Sequence, residues 1–137
     1  MNTLSIGQLA KASDVGIEAI RFYEREGLLP VAARTASGYR YFPSHTVQRL
    51  HFIRRAKDLG FTLKEISELL GLHDDQHADR LHVKKLTTDK LQQIEQKIDD
   101  LQRMQAVLAT LIDECSGQGP VSGCPIIQAL AEPNSQY

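Results

Sequence analysis

The stretch VKKLTTDKLQQIEQKIDDLQRMQAVLATLIDEC, residues 83–115, decides how the rest of the chain is read. Apolar residues recur in it at Leu91, Ile94, Ile98, Leu101, Leu108 and Ile112, and the series ends on Cys115. Steps of three, four and seven residues are those of a heptad's a and d positions, so one long helix with a single apolar seam is expected. Neither Gly nor Pro interrupts it. Gln105 falls in the seam where an apolar residue belongs, and a lone polar seam residue commonly fixes register. Met104 beside it is available for packing. No second long helix exists in the chain to cover the seam, so a homodimer joined through a coiled coil is expected. Periodicity leaves the relative direction of the two helices open.

The chain has 137 residues, enough for one domain or a small domain with an appendage. Its net charge is −1, unevenly spread. Residues 1–60 carry nine Lys and Arg against five Asp and Glu, a net +4, and residues 61–137 a net −5. The basic half is the one suited to a polyanion. No apolar run is long enough to cross a membrane, and Met1 to Gln8 lacks the pattern of a signal peptide, so a cytoplasmic location is expected. Two cysteines in a reducing compartment point to reactive or metal-binding thiols before a structural disulfide. No nucleophile–base spacing, phosphate loop or carboxylate pair supports an enzyme.

Upstream of the long helix the punctuation is dense. Ser5-Ile-Gly-Gln8 has the form of a capping box and opens a short helix. Ser13 to Gly16 is a turn, and a second helix follows from Ile17 to Glu26, ended by Gly27 and Pro30. Two short helices about a tight turn, with Arg21 on the second, predict a helix-turn-helix. Arg34-Thr-Ala-Ser-Gly38-Tyr-Arg-Tyr41-Phe42 predicts a β-hairpin, or wing, on which Arg34, Tyr39 and Arg40 are donors for phosphates. A third helix is expected from Pro43 or Ser44 to Leu59, with Arg49, Arg54, Arg55 and Lys57 on its polar side. Thr62-Leu-Lys-Glu65 is a second capping box, opening a helix to Gly71. The polar residues from Leu72 to Arg80 read as a solvated hinge loop.

Cys115 ends the long helix, and Cys124 follows after an eight-residue Gly/Ser/Pro loop. Pro125 favours the first position of a new helix, which makes Cys124 its cap and places the thiol at the positive end of that helix. A lowered thiol pKa is expected there. Two thiolates in one loop suit a monovalent soft ion that accepts linear coordination, Cu(I), Ag(I) or Au(I). A divalent ion usually wants a third or fourth ligand.

Four stretches together resemble the MerR family of bacterial transcription regulators, in particular its metal-responsive branch. They are Ile6-Gly-Gln-Leu-Ala10, Ala19-Ile-Arg-Phe-Tyr-Glu24 with Gly27-Leu28, Arg34 to Tyr41 with Gly38-Tyr-Arg40, and Cys115 to Leu130 with Cys124-Pro-Ile. The resemblance implies an antiparallel coiled-coil dimer on a pseudo-palindromic promoter operator. It implies activation by distorting the DNA so that RNA polymerase engages both promoter elements. It implies DNA contacts by Arg21, Tyr23, Arg34, Gly38, Tyr39, Arg40 and Arg55, and metal ligation by Cys115 and Cys124. Two positions depart from the pattern. Glu18 stands where some relatives are basic. Arg80 aligns with the third cysteine that sensors of divalent ions carry. Cu(I) is therefore the favoured effector. The alternatives are Zn(II), Cd(II), Hg(II) or Pb(II) with His77 or His82 as added ligands, and a thiol-based redox or electrophile sensor.

The expected architecture is mainly α. It comprises a winged helix-turn-helix DNA-binding domain over 1–71, a hinge over 72–82, a dimerisation helix over 83–115, and an effector loop, short helix and tail over 116–137.

Overall fold

The computed structural model describes residues 3–30 and 32–133. The expected domain ends at 1–2 and 134–137 lie outside the described residues. The chain divides into two compact units, Met1–Leu86 and Thr87–Tyr137. None of the described helices is long and apolar enough to cross a membrane.

The first unit begins with β1 (Thr3–Ser5), α1 (Ile6–Ser13) and α2 (Ile17–Arg25). Both halves of the first capping box form: Gln8 N–H donates to Ser5 Oγ at 3.2 Å, and Ser5 N–H to Gln8 Oε1 at 2.9 Å. They satisfy two helix-end donors and fix where α1 starts. Asp14 closes α1 in the left-handed region, at φ 56°, which turns the chain into α2. α2 ends as its sequence demands. Gly27 takes φ 76°, Leu28 N–H reaches Tyr23 O at 2.9 Å, and Gly27 N–H reaches Glu24 O at 3.1 Å. This pair of bonds around a left-handed glycine is a Schellman stop.

β2 (Ala33–Arg34) and β3 (Arg40–Pro43) form the expected wing hairpin. The sheet has a third strand: β1 pairs antiparallel with β3, giving the order β1-β3-β2 with Leu4 opposite Phe42. α3 spans Thr46–Asp58 and α4 spans Leu63–Asp74. α3 starts two or three residues later than expected because Pro43 is the last residue of β3. The second capping box forms between Thr62 and Glu65.

Leu9, Ile20, Phe42, Leu50, Ile53 and Ile66 are fully buried and form one core, with Leu28, Leu29 and Leu70 packed among them. Each buried side chain of this size contributes about 1.5–3 kcal/mol. The core joins both pairs of helices to the sheet.

Of residues 72–82, expected as a hinge, only 75–79 lie outside helices. α4 runs through Gly71 to Asp74, and α5 (Arg80–Glu114) begins at Arg80, earlier than residue 83. Tertiary contacts extend α4. Arg49 donates from one nitrogen to both carboxylate oxygens of Asp74 at 3.0 Å and through Nε to Leu28 O at 2.6 Å. The rings of Phe52 and His73 stack with centroids 5.8 Å apart. Asp79 starts α5 early, because its carboxylate accepts the Leu81 N–H at 2.9 Å.

In the second unit α5 continues to Glu114, and α6 spans Pro125–Ala131. The seam residues Leu91, Ile94, Ile98, Leu101, Met104, Leu108 and Ile112 are all exposed in the single chain. Leu111, off the seam, is buried at 1 % exposure.

Two substitutions separate local from packing contributions to the first unit. Thr62→Ala should cost about 1 kcal/mol by removing a cap. Phe42→Ala should cost about 3–5 kcal/mol by emptying the core beneath the sheet. Urea unfolding followed by circular dichroism measures both, and equal losses would mean that Phe42 does not organise the core.

Candidate nucleic-acid interface and thiol site

The wing and α2 enclose a groove of about 460 Å³. Arg21, Arg34, Gly38, Tyr39 and Arg40 line it, so five of the seven residues expected to meet DNA come together. Gly38 at φ 88° shapes the wing tip: its N–H donates to Thr35 O at 2.9 Å, and Thr35 N–H donates to Tyr39 O at 2.9 Å. Arg34 reaches across the tip to Gly38 O at 3.4 Å. Tyr39 stands out at 74 % exposure.

Two further groove residues escaped the sequence reading. Arg25 lies four positions after Arg21, and that spacing alone could have placed it on the same helix face. Glu24 is the other. Its Oε1 accepts from Arg40 at 2.7 Å and its Oε2 from the Ala32 N–H at 3.3 Å. A carboxylate among arginines in a basic stretch carries no local signal of this role.

Tyr23 and Arg55 do not line the groove. Tyr23, expected at the DNA, is packed into the core at 7 % exposure, because the i, i+3 spacing from Ile20 turns both inward. Its hydroxyl accepts from Lys57 Nζ at 3.3 Å, and the same ammonium lies 5.8 Å from the ring centre. Arg55 is exposed on α3.

In the second unit Cys115 follows the last residue of α5, and its N–H donates to Ile112 O at 3.2 Å. Cys124 is the N-cap of α6 with Pro125 at the first helical position. Its carbonyl accepts the first helical bond, from Gln128 N–H at 3.0 Å. Both thiols are free and half-buried. The Cys124 thiol is held below its ordinary pKa, first by the backbone N–H of Ile127, then by that of Ile126, with a smaller contribution from the Cys115 side chain. Burial acts the other way. The Cys124 side chain makes no cap hydrogen bond.

The two sulfurs are thus neighbours, and the donor set is soft. It fits a thiophilic ion. Among the described residues no group of three or more His, Cys, Asp and Glu is gathered that could hold a metal. Of the expected extra ligands, His82 has its Nε2 3.6 Å from Glu68 Oε2, and His77 is held through its backbone, whose N–H donates to Asp75 Oδ1 at 2.9 Å, not through its imidazole. Arg80 is the exposed first residue of α5.

A depressed thiol pKa keeps the thiolate as pH falls, so Cys124 should stay reactive toward iodoacetamide at pH values where an ordinary thiol has become protonated and slow. Mass spectrometry of the alkylated Cys124 peptide across a pH series, against an unstructured peptide containing Pro125 and Ile126, measures this. Coincident midpoints would remove the effect of the α6 N–H groups.

The chain matches the MerR HTH family regulatory protein family over residues 4–72 and the family described as MerR, DNA binding over residues 47–111. It is 44% identical to the mercuric resistance operon regulatory protein of Bacillus cereus, over 91% of this chain and 95% of that protein. A transcription regulator of Ralstonia metallidurans CH34, solved in complex with lead(II), superposes with a TM-score of 0.86 at 34% identity, covering 93% of this chain and 99% of that one. HiNmlR, a MerR family regulator lacking the sensor domain and solved bound to promoter DNA, superposes with a TM-score of 0.52 at 27% identity, covering 82% of this chain and 85% of that one. Helix-turn-helix, wing, long helix and C-terminal thiol loop all fall within these matches, and the chain belongs to the MerR family of transcription regulators.

Proposed function

We propose that the protein is a homodimeric, metal-responsive regulator that binds promoter DNA and activates transcription by distorting it when a soft ion binds Cys115 and Cys124. The observation that carries the reading is the pairing of two neighbouring thiols, one with a lowered pKa, in a chain whose first unit presents an arginine-lined groove. Arg21, Arg34, Tyr39 and Arg40 contact the DNA at that groove, Gly38 shapes the wing tip between them, and Arg55 adds a phosphate contact from α3. The exposed seam of α5 supports the dimer, since a strip of seven apolar side chains left in water is unfavourable. An antiparallel coiled coil and engagement of RNA polymerase at the promoter complete the reading.

A monovalent ion, Cu(I) first, is supported by a donor set of two sulfurs with no third ligand gathered beside them among the described residues. A second reading has its own support. The Bacillus cereus relative is named for mercuric resistance and the Ralstonia metallidurans structure holds lead(II). A divalent ion would draw its added ligands, His77 or His82 among them, from the partner chain of the dimer.

X-ray absorption on the metal-loaded dimer separates the two readings. Two sulfur neighbours per ion are expected for Cu(I), and a sulfur set extended by nitrogen or oxygen would favour the divalent ion. Cys115→Ser should abolish metal-dependent transcription in a reconstituted promoter assay while changing affinity for the operator less than about threefold, a free-energy change below about 0.7 kcal/mol. Loss of DNA binding in that variant would contradict the division between a DNA-binding unit and a sensing unit.

A further inference from the structure

Glu18 lies in the first turn of α2, and its side chain is 87 % exposed. A carboxylate there is out of keeping with its surroundings. The same helix offers Arg21 and Arg25 to the groove, and a DNA backbone repels any negative charge placed beside it. Glu18, Arg21 and Arg25 follow one another at spacings of three and four residues, so they share one helix face. Ile20 and Tyr23 face the core instead. Glu18 is the N-terminal member of the exposed stripe. In helix-turn-helix docking the N-terminal residues of the second helix are the ones that reach base edges in the major groove.

The carboxylate is also half used. Oε1 accepts from an Arg21 guanidinium nitrogen at 3.1 Å, and Oε2 has no hydrogen bond among the described residues. An exposed i, i+3 pair contributes little to folding. The pair does fix two side chains relative to each other at the tip of the helix. An acceptor that is open and negative is chemically matched to an amino donor, and cytosine N4 is the base-edge donor that carboxylates take.

We infer that Glu18 is a specificity-determining residue of the DNA-reading helix, with Oε2 accepting from the exocyclic amino group of a cytosine while Oε1 holds Arg21 for the neighbouring base pair or phosphate. The inference rests on the assignment of α2 as the helix that enters the DNA. Glu18 thereby rejects sequences that place a base-edge acceptor, a carbonyl oxygen or ring nitrogen, opposite it, which an alanine would tolerate.

The test is selection of duplexes from a random-sequence pool by the full-length protein, by Glu18→Gln and by Glu18→Ala. The wild-type protein should select cytosine at one symmetric position in both halves of the site. Glu18→Ala should lose about tenfold or more of the discrimination at that position and keep the other preferences. Glu18→Gln should move the preference toward adenine, because an amide pairs with adenine N6 and N7. A Glu18→Ala profile identical to wild type, or an affinity change equal for every sequence, overturns the inference alone. If the wild-type protein shows no salt-dependent duplex binding, the assignment of α2 as a DNA-reading helix fails with it.

Discussion

One carboxylate holds the arginine-lined groove in shape. Glu24 projects from α2 and is shared between the Arg40 guanidinium and the Ala32 backbone N–H, on either side of the hairpin. Without an anion between them, Arg21, Arg25, Arg34 and Arg40 would repel one another across the groove. With it, helix and wing keep a fixed spacing, and the charge left over is still positive. Arg40 engages Glu24 through one nitrogen, so most of its five N–H donors stay available to a phosphate. The pair is half-buried, with Glu24 at 15 % side-chain exposure, which shields it from solvent better than the exposed pairs on α5.

The two units are stabilised in different ways. The first closes a core within one chain, from Leu9 on α1 to Leu70 on α4. The second leaves its long apolar seam in water and buries Leu111 instead. In the proposed dimer, covering that seam would make assembly part of the stability of the unit, as for obligate dimers in general.

Much of the fold was legible because its signals are local. Ser5 with Gln8 and Thr62 with Glu65 each fix a helix start within four residues, and Gly27 and Gly60 fix stops. The seam of α5 and Pro125 after Cys124 are equally local, and they delivered the long helix and the capping thiol. What stayed hidden depends on distant partners. β1 is three residues long and exists because β3 pairs with it. The last turn of α4 depends on Arg49, 25 residues before Asp74. Tyr23 carries two signals: the resemblance implies a DNA contact, and the helical spacing from Ile20 packs its ring against the core. Glu24 was silent for the same reason, since both its partners lie eight or more residues away.

α6 has seven residues and buries none of them fully. A helix that short has almost no stability of its own in water. Its N–H groups lower the pKa of Cys124 only while the helix is formed. An ion taken up by that sulfur, as proposed above, would meet a ligand whose acidity depends on the folding of this short helix, and part of the binding free energy would be drawn off in ordering residues 125–131. The detection threshold of the site is then adjustable from outside it. A substitution at Gln128, within α6, would then raise or lower the ion concentration at which half the proposed sites fill, through helix propensity alone.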